Sequence, residues 1–234
     1  MTDIERQEIL YKAKSFFREK IVVSHIKNTK KLTKLSQFNI NPFLNHYLAN
    51  FLTGNGSAES IAKALIYPRV LGTSINTSFG THLQYFCSTV LDGFASTTSG
   101  IDIEFIDQID GRRKYCQVKA GPNTINKDDV ASIKGHFMAI KNLARTNKMQ
   151  INLDDLIVGV FYGTSDELST HYKNINKEHP VIIGQEFWHR ITGDQNFYTH
   201  LINAIGEVAI EANGDKLLKN VIKNLAKEIQ KLNS

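Results

Sequence analysis

The chain has 234 residues, 41% of them hydrophobic and 22% charged, with a net charge of +5 and an isoelectric point near 9.1. That is enough chain to bury a core without a disulfide or a structural metal, and the mild basic excess permits a polyanionic partner without demanding one. Cys87 and Cys116 have no paired spacing, no apolar run approaches the roughly 18–20 residues of a membrane span, and MTDIERQEIL has no signal-peptide core, so a reduced, cytoplasmic protein is the expectation.

Apolar positions at helical spacing, Ile4, Ile9, Leu10, Ala13, Phe16 and Phe17, predict a first helix ending near Lys20. The following stretch carries Lys27, Lys30, Lys31 and Lys34 and runs to an Asn-Pro pair. It reads either as a solvated linker or as a segment that tracks a phosphate backbone. Helices are expected over 44–52 and 58–70, split by the loop TGNGS, and over 79–93 with Leu83, Phe86, Val90 and Leu91 as the buried stripe.

Residues 100–121, GIDIEFIDQIDGRRKYCQVKAG, read as a hairpin turning at Asp110-Gly111, the favoured pair for a two-residue type I′ turn. Ile109 then faces Arg112, Asp102 faces Lys119 and Glu104 faces Gln117. Alternation puts Ile101, Ile103, Phe105, Cys116, Val118 and Ala120 on a core face and Asp102, Glu104, Gln117 and Lys119 together on the other. Two carboxylates, an amide and an ammonium within roughly 4.5–8 Å of one another suit metal binding and water activation. The same pattern also describes a wet outer face with a cross-strand ion pair.

After a polar connection, a helix is expected over 128–145, capped by Asn126 or Asp128. LIVGVFY, residues 156–162, reads as a strand buried on both faces. Residues 181–183 read as a short strand entering GQEFWHRITG, which predicts strand, turn and short helix. Two helices, over 196–212 and 214–232, finish the chain. On the last, Leu217, Leu218, Val221, Leu225 and Ile229 oppose a ridge of Lys216, Lys219, Lys223, Lys227 and Lys231, either a solvated face or a DNA contact.

The element order, together with Asp102 and the Gln117-Val118-Lys119 tripeptide, resembles the PD-(D/E)XK nuclease superfamily. More narrowly it is similar to type II restriction endonucleases that cut palindromes of the GGNCC or GGWCC kind. The likeness is carried by KLTKL and INPF (31–43), YPRVLG (67–72), GIDIEF (100–105), QVKAGPNTIN (117–126), VGVFYGTS (158–165) and GQEFW (184–188). It departs from the pattern at Ile101, where a proline is common, and at Gln117, where a second acid is usual.

The resemblance implies a mixed α/β (α+β) fold: a restriction-endonuclease-like core of a four- to five-stranded sheet flanked by helices, with a helical N-terminal half. Residues 1–234 would form one domain, with a DNA-binding or dimerisation part (1–95), a catalytic core (96–192) and C-terminal helices (193–234). It implies Mg²⁺ held by Asp102, Gln117 and the Val118 carbonyl, with Glu59 or Glu104 completing the set and Lys119 acting on the attacking water. Asn123, Thr124 and Asn126, at a helix start that favours phosphate, and Lys30, Lys31 and Lys34 are candidate DNA contacts. Double-stranded DNA is the implied partner, a homodimer the implied assembly, and a cognate methyltransferase the companion in the same restriction-modification system without being a stable partner. A DNA-binding protein of the same fold that has lost catalysis, or an interaction protein using its C-terminal helices, are the competing readings.

Overall fold

The computed structural model describes residues 2–90 and 95–232. It divides into two compact units, one of Met1–Phe16 with His82–Ile205 and one of Phe17–Thr81 with Gly206–Ser234. In chain order the elements begin with α1 (Asp3–Phe16), a π-type stretch Phe17–Val22 and α2 (Val23–Lys31). Then come α3 (Pro42–Thr53), α4 (Ala58–Pro68), a second π-type turn Arg69–Thr73 and α5 (Ser74–Val90). The hairpin is β1 (Ile103–Ile106) and β2 (Arg113–Lys119), followed by α6 (Lys127–Thr146), β3 (Leu156–Val160), α7 (Thr170–Ile175), β4 (Val181–Ile183) and α8 (Gly184–Thr192). α9 (Phe197–Glu211) and α10 (Gly214–Leu232) close the chain.

Several expectations need correction. The lysine stretch after Lys20 is not a linker, because the first helix continues through the π-type stretch to Lys31 and places Lys27, Lys30 and Lys31 on α2. Asn41-Pro42 starts a helix rather than stopping one: the Asn41 side chain accepts from the N–H groups of Phe43 and Leu44, and Pro42 occupies the first turn, where its missing N–H costs nothing. PRVLGTSINTS is helical too, since Pro68 stands at the end of α4 and the widened turn after it takes up the mismatch. Leu91 lies outside the described residues. The segment 184–192 is wholly helical, and the six-residue α7 carries no sequence signal strong enough to read.

The first unit is a four-stranded sheet in the order β1-β2-β3-β4, antiparallel at the hairpin and parallel elsewhere. One face carries Ile103, Phe105, Cys116 and Val118 and receives α8. Gly159 leaves room there for the Phe187 ring, which a Cβ would meet at 2.2 Å. Trp188 stacks edge-on against Phe86, Phe161 and Phe187, and its indole N–H donates to the Phe161 carbonyl at 3.0 Å. On the other face Leu156, Val158 and Val160 pack under Val130, Ile133, Phe137 and Ile140 of α6 and Tyr172 of α7. In register, Gln117 neighbours Val158 and Lys119 neighbours Val160, so the polar face of the hairpin continues this helix-covered face and is not a bare outer surface.

The hairpin register also differs from expectation. Ile103 pairs with Cys116, Glu104 with Tyr115 and Ile106 with Arg113, two residues away from the type I′ alignment. The chain turns through residues 107–112 instead. The Asp107 N–H closes on the Arg112 carbonyl (2.9 Å), while the side chains of Asp107 and Asp110 cap the N–H groups of Ile109 (2.8 Å) and Arg112 (2.9 Å). Fully buried Asp107 pairs with Arg190 at 2.7 Å, and buried Lys114 holds Asp110 (2.6 Å) and Asp155 (3.2 Å). A shift of two residues keeps every strand side chain on its expected face.

In the second unit α10 lies along α4. Val221, Ile222, Leu225, Ala226 and Ile229 pack with Ile61, Ala62, Ala64, Ile66, Val70, Ala49 and Leu32. Lys216, Lys219, Lys223, Lys227 and Lys231 are exposed on the side of α10 away from this packed stripe.

Asp107→Ala removes the turn cap and leaves the Arg190 guanidinium without its buried partner. Urea unfolding is expected to show a loss of about 3 kcal/mol; a change under about 0.5 kcal/mol contradicts the assigned role of this pair.

Candidate active site

The start of β1 is irregular in an informative way. Ile103 is paired with Cys116, yet the Asp102 N–H also donates to the Cys116 carbonyl at 3.1 Å. Two residues therefore share one opposite residue, the arrangement of a β-bulge, which bends a strand and re-aims a side chain. Along β2 the N–H groups point alternately to the two neighbouring strands. That of Val118 points toward β1, where the ladder has just been interrupted, and the Asp102 carboxylate accepts it at 2.7 Å. The Val118 carbonyl lies on the same edge of the strand.

Asp102 is thus not directly opposite Lys119, as the type I′ register predicts, but sits over the middle of the 117–119 tripeptide. Gln117 is buried and its amide nitrogen is doubly engaged, with the Gly100 carbonyl at 2.5 Å and His136 Nδ1 at 2.8 Å. Both amide hydrogens are used, so the amide oxygen is the atom left to meet a cation. Gly100 has φ +79°, and a Cβ there would come within 2.5 Å of the His136 ring, so the turn before Asp102 needs glycine twice over. Lys119 is half-buried on the Gln117 face and makes no ion pair among the described residues.

Glu104 faces Tyr115 rather than Gln117. Its carboxylate accepts from Ser96 Oγ (2.6 Å), Thr98 Oγ1 (2.9 Å) and the Arg113 guanidinium (3.1 Å). Burial alone pushes this carboxyl up, but the three donors outweigh it and hold it below the ordinary carboxylate range. Glu59 belongs to the second unit, in the first turn of α4, and pairs with Lys63 at 2.7 Å.

The loop after β2 is tightly held. Thr124 Oγ1 donates to the Gly121 carbonyl (2.9 Å), as does the Tyr172 hydroxyl (3.1 Å). Asn126 closes a full capping box on α6, accepting from Asp128 and Asp129 while Asp129 accepts from it. Its side chain is therefore committed to the helix, although Asn126 is exposed in this loop along with Asn123 and Thr124. Lys30, Lys31 and Lys34 are exposed in the second unit. His136, Ser96, Thr98 and Arg113 carry no spacing signature of a site: Ser96, Thr98 and Arg113 reach Glu104 across six to nine residues of loop and hairpin, and His136 reaches Gln117 from α6.

The family model described as Type II restriction endonuclease EcoO109I matches residues 11–213. This chain belongs to that family. No individual curated protein matches it significantly. Membership makes the chain a nuclease of the restriction endonuclease kind, acting site-specifically on DNA, and the four-stranded mixed sheet flanked by helices is the fold expected of it. The hairpin that bears Asp102, Gln117 and Lys119 lies within the matched span.

Because Glu104 titrates below its ordinary value near 4.5 in the folded chain, its bonds add stability that is complete above that value and is lost as the pH falls through the folded value. Glu104→Gln is expected to lower the melting temperature at pH 7 and to converge on the parent below pH 4.5. A gap of constant size across that range argues against the assignment.

Proposed function

We propose that this chain is a Mg²⁺-dependent type II endonuclease that hydrolyses both strands of a short DNA palindrome of the GGNCC or GGWCC kind as a homodimer. The observation that carries the reading is the gathering of Asp102, Gln117 and Lys119 around the bulged start of the hairpin. The available ligands are all oxygens: the Asp102 carboxylate, the Gln117 amide oxygen and the Val118 carbonyl. That is a set for a hard cation which keeps several waters and takes its remaining ligands from substrate phosphate.

When bound, the ion supplies Lewis acidity and a water of lowered pKa. The chain does the rest. Asp102 provides the negative charge that holds the ion, and its bond to the Val118 N–H locks the carboxylate over β2. Gly100 and His136 hold the Gln117 amide by its nitrogen, which leaves its oxygen as the ligand. Lys119 Nζ donates a hydrogen bond to the attacking water or to a non-bridging phosphate oxygen, orienting the one and neutralising charge on the other as the bridging P–O bond breaks. The exposed N-terminal loop of α6, with Asn123 and Thr124, offers a helix start to a backbone phosphate. A palindrome needs one such hairpin per strand, hence the two-fold dimer.

Plasmid DNA carrying the short palindromes is expected to give discrete bands with Mg²⁺ and none with chelator; smearing, or no cutting in any divalent metal, sinks the reading. Lys119→Ala is expected to cost roughly 10²–10⁴-fold in cleavage rate while DNA binding persists. If the amide at Gln117 instead marks a binding protein without catalysis, the parent binds DNA but never cuts and Lys119→Ala changes little. His136→Ala should raise the Mg²⁺ needed for half-maximal cleavage roughly 10-fold or more, and weaken Mn²⁺ binding measured by paramagnetic resonance. Unchanged metal affinity would remove His136 from the mechanism.

A further inference from the structure

Helix α3 is built inside out. It meets α4 of its own unit through small or polar side chains, Ala49 fully buried and Asn45 nearly so. Its large apolar side chains point away. Phe43 is 85% exposed, Tyr47 63% and Phe51 78%, one helical turn apart, and Leu44, Leu48 and Leu52 form a second exposed ridge beside them. The Tyr47 and Phe51 rings stack at 6.0 Å, which stiffens the ridge.

At about 150–250 Å² per aromatic side chain, the three rings alone leave on the order of 400 Å² of apolar surface in water, and the leucines enlarge it. The largest patch on an ordinary monomer is roughly 300–600 Å², and a stable interface takes about 800 Å² from each partner. The patch has the size of the apolar centre of such an interface.

Charge decides the partner. Residues 35–58 contain no Asp, Glu, Lys or Arg, in a chain where 22% of residues are charged. A DNA backbone requires basic groups, and an acidic or basic protein surface requires opposite charge, so none of these fits. A surface free of charge is complementary to itself, and two copies related by a two-fold axis bring the same ridge to each other without burying an unpaired ion. We infer that the exposed face of α3 is a homotypic seam at which two copies of this chain pack α3 against α3. This deepens the proposed dimer by naming the surface that makes it.

The test uses the full chain without DNA or metal. Sedimentation equilibrium at micromolar concentration is expected to give a dimer, and the double variant Tyr47→Lys, Phe51→Lys a monomer with unchanged helical circular dichroism. The dissociation constant should rise by roughly 100-fold or more. Cross-linking gives a second readout that no folding defect can imitate. Cys87 and Cys116 are both fully buried and out of the reagent's reach. A thiol introduced as Phe51→Cys should then be joined to its copy by a short bismaleimide, while one at exposed Asp166→Cys should not.

A monomeric parent, a dimer indifferent to the lysines, or a position-51 thiol that does not cross-link overturns the inference. So does a monomer that instead sediments with phosphatidylcholine vesicles. A dimer that cuts no DNA upholds the seam and sinks the nuclease reading, whereas a monomer that cuts discretely sinks the seam and upholds the cleavage activity while removing its dimeric form.

Discussion

The hydrogen bond from the Val118 N–H to the Asp102 carboxylate is the constraint on which the candidate site depends. A buried strand N–H must find an acceptor, and the bulge at Asp102 removes the backbone carbonyl that would have served. The carboxylate fills that vacancy and, in doing so, is fixed beside Gln117 and one residue from Lys119. The gap in the ladder thereby places the acid on which the proposed metal site rests. The charge-assisted bond is also stronger than the neutral one it replaces, so the irregular geometry persists.

The surroundings reinforce this arrangement from three directions. The 107–112 turn is clasped by Asp107–Arg190 and by Lys114 with Asp110 and Asp155, which pins the far end of the hairpin. The segment before Asp102 is tied back to β1 through Ser96, Thr98 and Glu104. From α6, His136 reaches Gln117, and Gly100 leaves the ring space to do so. Each clasp lies near the tripeptide, so the groups proposed to react ride on rigid strand, with the loop of residues 121–126 following it.

Much of this could be read from the sequence because it is local. The core face of the hairpin, the buried run of β3, the capped α6 and the two-sided α10 all follow from periodicity and capping chemistry over a few residues. The register was not legible: Asp-Gly favours a two-residue turn, but the Asp107 ion pair with Arg190, far along the chain, outweighs a local preference worth far less. The continuation of the first helix through Lys31 does not show in the sequence, because its lysines and asparagine resemble a loop and the helix there is held by packing of neighbours such as Leu32. His136 was invisible for a similar reason, as one histidine on a helix carries no mark of what it will touch. The joining of residues 17–81 with 206–234 through α4 and α10 is likewise a tertiary event.

The family match supports the nuclease activity, and the proposed metal site is built from three oxygens near one bulge. Fe²⁺ in place of Mg²⁺, with ascorbate and peroxide, generates hydroxyl radicals that cut the polypeptide where the ion sits. Mapping the fragments by mass spectrometry is expected to place the breaks next to Asp102 and within residues 117–119. Breaks clustered around Glu59 in α4, or scattered without preference, would contradict the account.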